Sequence, residues 1–313
     1  MLENRQYQEN SIGMSKENQW QVIGLSESLP ADKPVGVHCD GVEYVLFRDA
    51  HGVPRALEDA CAHRRAPLSL GCITNTGLIE CPYHGWRYDG SGACKVIPNL
   101  SADEKVPRSY RVTGYAVHEQ DGFLQLWTGG LEPTAPPLSL AMSPMAAEWF
   151  GERLIAYPFR EFIDLLLDAP GAILDINGLA SRDDHRFGDP ILDAKSICVE
   201  YGVASRATAR SGRVISDFPY SLVLNVRRDG RQSKLQLLDN SRKLLSETML
   251  IARPVERALT AVKWRGTGTA TQRGLLRITA RDRIDPHAVM KAKDYCSRLC
   301  SASFAPTGEG EFA

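Results

Sequence analysis

The sequence has no marked excess of charge of either sign. Its 37 Lys and Arg stand against 38 Asp and Glu, a formal net charge of −1. It therefore lacks the electrostatic footprint with which a chain meets nucleic acid or an anionic lipid surface. No apolar run approaches the roughly 20 residues that a membrane-spanning helix needs. The opening stretch, MLENRQYQENSIGMSKENQW, has no apolar segment of the signal-peptide kind. A cytoplasmic protein is expected, with no membrane and no nucleic-acid partner. Internal repeats and low-complexity tracts are also missing. Histidine is scarce: there are 7 in 313 residues, and only His185 and His287 follow His118. Cysteine is not scarce, at 8: Cys39, Cys61, Cys72, Cys81, Cys94, Cys198, Cys296 and Cys300. Without an export signal, metal binding or plain burial is the expected use of these thiols, rather than disulfide pairing.

A chain of this length suggests about two domains of ~150 residues each. Residues 1–16 are polar and aperiodic and are predicted to be disordered, with Met14 a second candidate start. Residues 17–130 show short β-type runs, such as Val35–Cys39, 44–47 and Phe123–Trp127. Asp40-Gly41, His51-Gly52, Asp89-Gly90 and Ser91-Gly92 punctuate them. This pattern predicts an antiparallel β domain. Residues 128–145, TGGLEPTAPPLSLAMSPM, are rich in Gly and Pro, so 131–148 is expected to be a surface linker. Residues 149–313 are expected to form a second domain, giving an α+β chain as a whole. Within it, REFIDLLLD predicts a helix interrupted at Pro170-Gly171. Strand-like stretches follow at 197–202, 220–227, 246–252, 260–264 and 274–279. Residues 286–304, with Pro286 in the first turn, predict a closing helix.

Two short blocks concentrate the chemistry: Cys61-Ala62-His63-Arg64, and, after residues 65–80, Cys81-Pro82-Tyr83-His84-Gly85-Trp86. They read C-x-H and C-x-x-H. A Rieske cluster needs two thiolates on one iron and two imidazoles on the other. Each block supplies one of each, so two loops can clamp a [2Fe–2S] cluster from opposite sides. A zinc site is the alternative, although zinc knuckles usually keep Cys with Cys and His with His along the chain.

In these blocks and their surroundings the sequence resembles the Rieske-type non-heme iron oxygenases. The resemblance runs over roughly residues 18–130, through KPVGVHCDGVEYVLFRDAHG, ALEDACAHRRAPLSLG, LIECPYHGWRYDGSGACKVIP and DGFLQLW. It implies that Cys61, His63, Cys81 and His84 hold the cluster. Rieske proteins of respiratory complexes carry an additional disulfide between the two loops. The matching positions here are Ala66 and Tyr83, which implies the low-potential oxygenase or ferredoxin type. Trp86 and Tyr83 are expected beside the cluster. Arg64 and Arg65 either face a reductase or a neighbouring subunit or are simply solvated.

The second domain departs from the family pattern. The resemblance implies an Asp-x-x-His-x-x-x-x-His run that holds a mononuclear ferrous iron, with a further carboxylate downstream. Here Phe162 and Asp164 fit the start of that run, but the two histidine positions fall on Leu167 and Ala172. Neither side chain can bind iron. Asp164 is expected to keep the family's bridging role between a cluster histidine and the neighbouring chain's iron; a surface acid of a helix is the plainer reading. Asp168 and Asp175 add carboxylates without histidine. His185, in a polar 181–185 stretch expected to be an exposed loop, and His287 are the other candidates for a non-standard iron site. ETMLIARPVERALTAVKW, residues 247–264, resembles the family's strand-turn-strand. Cys296 and Cys300, one helical turn apart, are read as buried or half-buried thiols.

The resemblance implies a helix-grip-like C-terminal domain, and Leu167 and Ala172 at the histidine positions make it a reduced one expected to hold no mononuclear Fe(II) of its own. The chain is expected to be the cluster subunit of a monooxygenase-type system. It would take electrons from an NAD(P)H-dependent reductase or a ferredoxin. It would pass them to a homologous catalytic subunit in a trimer-based hetero-oligomer. A self-sufficient homotrimer with unusual iron ligands, and a non-enzymatic electron carrier or redox sensor, are the alternatives.

Overall fold

The structure, a computed structural model, describes residues 20–101, 104–129, 132–205, 218–271 and 274–284. These residues are mostly β, with two short α-helices and two single 3-10 turns. The α contribution expected from the sequence is therefore small among them. The closing helix expected at 286–304, with Cys296 and Cys300, lies outside the described residues, as do residues 1–16 and His287. The described residues fall into two compact units that divide between Ser139 and Leu140. No described helix is long and apolar enough to cross a membrane.

The first unit holds three small antiparallel sheets. One pairs Trp20–Leu25 and Val117–Gln120 with Phe123–Trp127. A second runs Val35–Cys39, Val42–Arg48, Pro54–Glu58, Gly114–Tyr115. The Asp40-Gly41 turn has φ of 50° and 82°, and Asp121-Gly122 has 54° and 74°. Two successive left-handed residues are what a two-residue hairpin with the right strand twist requires. The third sheet runs Cys72–Ile73, Ile79–Glu80, Arg87–Tyr88, Cys94–Val96. Its tight turn is held by Asp89, whose Oδ1 accepts from the N–H groups of Ser91 and Ala93. Val45, Phe47, Leu57, Leu68, Ile79 and Tyr88 form one core beneath the two cysteine-bearing loops.

The second unit is built on one long antiparallel sheet. Its order is Ala147–Ile155, Leu259–Gly268, Leu244–Glu256, Gln232–Asp239, Tyr220–Arg227, Ser196–Ser205, Leu179–Arg186, Leu174–Ile176, Ile278–Ala280. The strand-turn-strand expected around residues 247–264 is the Leu244–Glu256 and Leu259–Gly268 pair. Helix α1 (Phe159–Asp168) buries Phe162, Ile163, Leu165, Leu166 and Leu167 in the same core as the sheet's Leu222, Leu224, Leu235 and Leu250. Chain-breaking Pro170 ends that helix and opens the single-turn α2 (Pro170–Ile173). The carbonyl of Leu167, near the helix end, accepts from the buried Tyr201 hydroxyl at 2.5 Å.

Two expectations are corrected here. Residues 181–185 are not a loop but lie in the Leu179–Arg186 strand. Its pairing with Ser196–Ser205 breaks register between Ser181 and Arg186, which accommodates the polar run. The connector is also shorter than 131–148. Leu140 is fully buried, and Ala147 begins a nine-residue strand. Ser143 is tied from both sides: its N–H donates to Glu247 at 2.7 Å, and its carbonyl accepts from Thr267. Burial pushes the Glu247 carboxyl up, but the Ser143 N–H, Lys234 and Gln236 outweigh this and hold it below the usual carboxylate range.

Candidate metal-cluster site

Two loops of the first unit are built alike. In the first, the Cys61 N–H donates to the Ala66 carbonyl and the Arg65 N–H donates to the Cys61 carbonyl. In the second, the Cys81 N–H donates to the Trp86 carbonyl and the Gly85 N–H donates to the Cys81 carbonyl. Each cysteine thus closes a ring to the residue five further on and accepts from the residue four further on. The fourth position is left-handed in both, with φ 58° at Arg65 and 69° at Gly85. The first loop follows the Pro54–Glu58 strand, and the second joins Ile79–Glu80 to Arg87–Tyr88. The two sequence blocks are therefore two copies of one backbone device, with histidine two residues after the cysteine in one and three in the other.

This device sorts the four side chains into like pairs. Cys61 and Cys81 are buried at 1% and 3% exposure, while His63 and His84 are exposed. The two thiols share one buried core. The two imidazole centroids lie 4.8 Å apart. Sulfur beneath and nitrogen above is the donor arrangement that a two-iron cluster with split ligation requires. Among the described residues, no group of three or more His, Cys, Asp or Glu side chains converges as a single-ion site.

The electrostatics fit the same donor set. Desolvation, helped by nearby His84 and Arg64, holds the His63 imidazole below its ordinary value. Burial pushes the Cys81 thiol up, against donation from the Tyr83 and His84 N–H groups. Metal binding there must displace the thiol proton. Cys94 in the same core is pushed up to about 11 by burial and by Cys61, so it stays a thiol. The six described cysteines are all free.

Around the pairs stand groups that local spacing did not reveal. The buried Tyr88 hydroxyl lies 3.1 Å from Cys61 Sγ, and the Ala62 N–H donates to the same oxygen. Once Cys61 is a thiolate, only the phenol carries a proton for that contact, and it donates to the sulfur. Trp86 stacks flat on His63, at 4.8 Å and 4°, and Tyr83 lies 3.8 Å from His84. Both aromatics expected beside the site are there. Arg64 and Arg65 are exposed, and Arg65 pairs with Glu58. Ala66 packs under the loop and Tyr83 is largely exposed; neither carries a thiol for a disulfide between the loops.

In the second unit, Leu167 and Ala172 are fully buried in the apolar core. Asp164 is half-buried on α1, Asp168 is buried, and Asp175 sits in the Leu174–Ile176 strand. The His185 side chain and all of His287 lie outside what the structure describes.

Comparison with known proteins agrees with this geometry. The family described as "Rieske [2Fe-2S] domain" matches residues 19–115. Protein TIC 55 of Pisum sativum is 39% identical over 115 residues, covering 37% of this chain and 21% of that protein. The oxygenase component of dicamba O-demethylase from Stenotrophomonas maltophilia is 39% identical over 155 residues, covering 48% and 44%. The chain thus spans less than half the length of these curated relatives. Among solved structures, dicamba monooxygenase superposes with a TM-score of 0.59 at 24% identity, covering 80% of this chain and 76% of that one. The Pseudomonas putida NdmA QL mutant with caffeine gives 0.58 at 18% identity, covering 94% and 85%. The fold shared with these structures reaches well beyond the matched domain. The chain carries a Rieske [2Fe–2S] domain over residues 19–115.

Proposed function

We propose that this chain is the cluster-bearing subunit of a Rieske oxygenase system, with Cys61, His63, Cys81 and His84 as the four ligands. The observation that carries this reading is the sorting of two thiols below and two imidazoles above by twin loops. When bound, the cluster supplies one-electron relay chemistry, at a potential raised by imidazole over all-cysteine ligation. The chain's own residues do the rest. Burial of Cys61 and Cys81 keeps water from the sulfurs. Tyr88 offers a hydrogen bond to one of them. The exposed His63 and His84 face outward for exchange with other proteins. Trp86 and Tyr83 fix the planes of those rings.

The residues at the two mononuclear-iron positions do not fit that metal. Leu167 and Ala172 are apolar, fully buried and packed. This supports a hetero-oligomer, trimer-based, in which a homologous partner subunit holds the iron. An NAD(P)H-dependent reductase or ferredoxin feeds electrons in, and the partner performs dioxygen-dependent hydroxylation or demethylation of a small organic molecule. Asp164, half-buried on α1, is the bridge to that partner. We place the system in the cytoplasm and read residues 149–313 as a reduced helix-grip domain behind a short connector.

The test is iron and acid-labile sulfide per chain, on protein purified anaerobically and then offered ferrous iron. Two irons and two sulfides are expected. Three irons with two sulfides would overturn the cluster-only reading and point to His185 and His287.

A further inference from the structure

The two exposed imidazoles do not share one environment. His84 lies against Tyr83 and, at 4.8 Å, against His63. His63 begins a stack of three rings: Trp86 lies on it at 4.8 Å, and Tyr110 lies on Trp86 at 5.1 Å and 36°. Tyr110 is 42% exposed, so the stack carries the His63 ring's contacts sideways to a second exposed position. Its position is set by the ligand-bearing sheet. The Cys94 N–H donates to the Tyr110 carbonyl at 3.0 Å, Arg111 bridges to Ala93, and Val106 packs into the core under the cysteines. The segment that carries Tyr110 is cationic. Residues 105–111, KVPRSYR, contain Lys105, Arg108 and Arg111 and no acid, and all three cations are exposed. Two acids precede them in the sequence, Asp103 and Glu104, and Glu104 accepts from the Ser101 N–H and hydroxyl.

We propose that Tyr110 and the cations beside it form the docking face for an electron-donor protein with an acidic surface, and that the electron enters through the Tyr110–Trp86–His63 stack. This deepens the cluster reading above and rests on it. One electron leaves the donor's reduced [2Fe–2S] group, which is oxidised by one, and reaches this chain's oxidised cluster, which is reduced by one. No bond or proton changes hands, and the aromatic rings serve as medium without being oxidised. Opposite charge on the two faces steers the encounter and makes it sensitive to salt.

The experiment is stopped-flow reduction of the holoprotein by a reduced, strongly acidic [2Fe–2S] ferredoxin, run in parallel with dithionite. Reversing charge in Arg108→Glu with Arg111→Glu should slow the ferredoxin reaction about tenfold or more at low ionic strength and flatten its salt dependence. Tyr110→Ala should slow it severalfold while keeping that dependence, and Tyr110→Phe should restore the wild-type rate. Iron, sulfide, potential and the dithionite rate should stay unchanged in all of them. Wild-type rates with ferredoxin in both the charge-reversed and Tyr110→Ala proteins would overturn the proposal. So would an equal loss with dithionite, because the damage would then lie at the cluster and not at a docking face. A wild-type chain without iron and sulfide would instead overturn the cluster reading itself, and the proposal with it.

Discussion

The first cysteine loop and the second make the same backbone hydrogen bonds with different residues. Both turn left-handed at the fourth position after cysteine, but one places Gly85 there and the other Arg65. Glycine holds that conformation freely, while a side chain costs roughly 1–2 kcal/mol. The first loop accepts the strain, with Arg65 paired to Glu58. The second has less room, since a Cβ on Gly85 would meet Pro98 Cγ at 3.1 Å. The sulfurs differ as well. Cys61 faces a phenol hydroxyl, whereas Cys81 relies on the backbone N–H groups of Tyr83 and His84. A symmetric scaffold thus holds two inequivalent halves.

Four changes break or sharpen that comparison. The largest effect comes from removing a ligand: Cys81→Ser or His84→Ala should take iron and sulfide per chain from two toward zero, read by chemical assay, because neither loop alone offers four donors. Next, Gly85→Ala should destabilise the holoprotein by about 1–2 kcal/mol, read as a lowered thermal midpoint, since it puts a Cβ into the left-handed region. Tyr88→Phe should keep the metal content and lower the reduction potential in a redox titration. A hydrogen bond to sulfur favours the more negative, reduced state, and this variant removes it. Arg65→Gly should change least, within about 0.5 kcal/mol. The relief of strain there is offset by the chain entropy of glycine and the loss of an exposed ion pair.

The site was legible where its chemistry is local. Cys61 with His63 and Cys81 with His84 sit two and three residues apart, so the donor set could be read from spacing alone. Tyr88 could not, because it reaches Cys61 across 27 positions through a sheet. Tyr110 reaches Trp86 in the same non-local way. The fold followed the same division. The Tyr220–Arg227 strand was readable as an alternating apolar run, whereas Ala147–Ile155, Leu179–Arg186 and Gln232–Asp239 were not. Those three carry charged or amide side chains on one or both faces, and their neighbours in the sheet impose the strand over weak propensity. Leu167 and Ala172 were readable by chemistry: an apolar side chain where a ligand is expected needs no coordinates to exclude it, and the core then shows where they go.

The measurement that bears most directly on the central claim is pulsed EPR of the dithionite-reduced protein with its histidine nitrogens labelled by isotope. Two histidine nitrogens coupled to the reduced cluster are predicted, with the coupling to one of them lost in His63→Cys. No coupled nitrogen, or only one in the wild-type protein, would contradict ligation by His63 and His84 together.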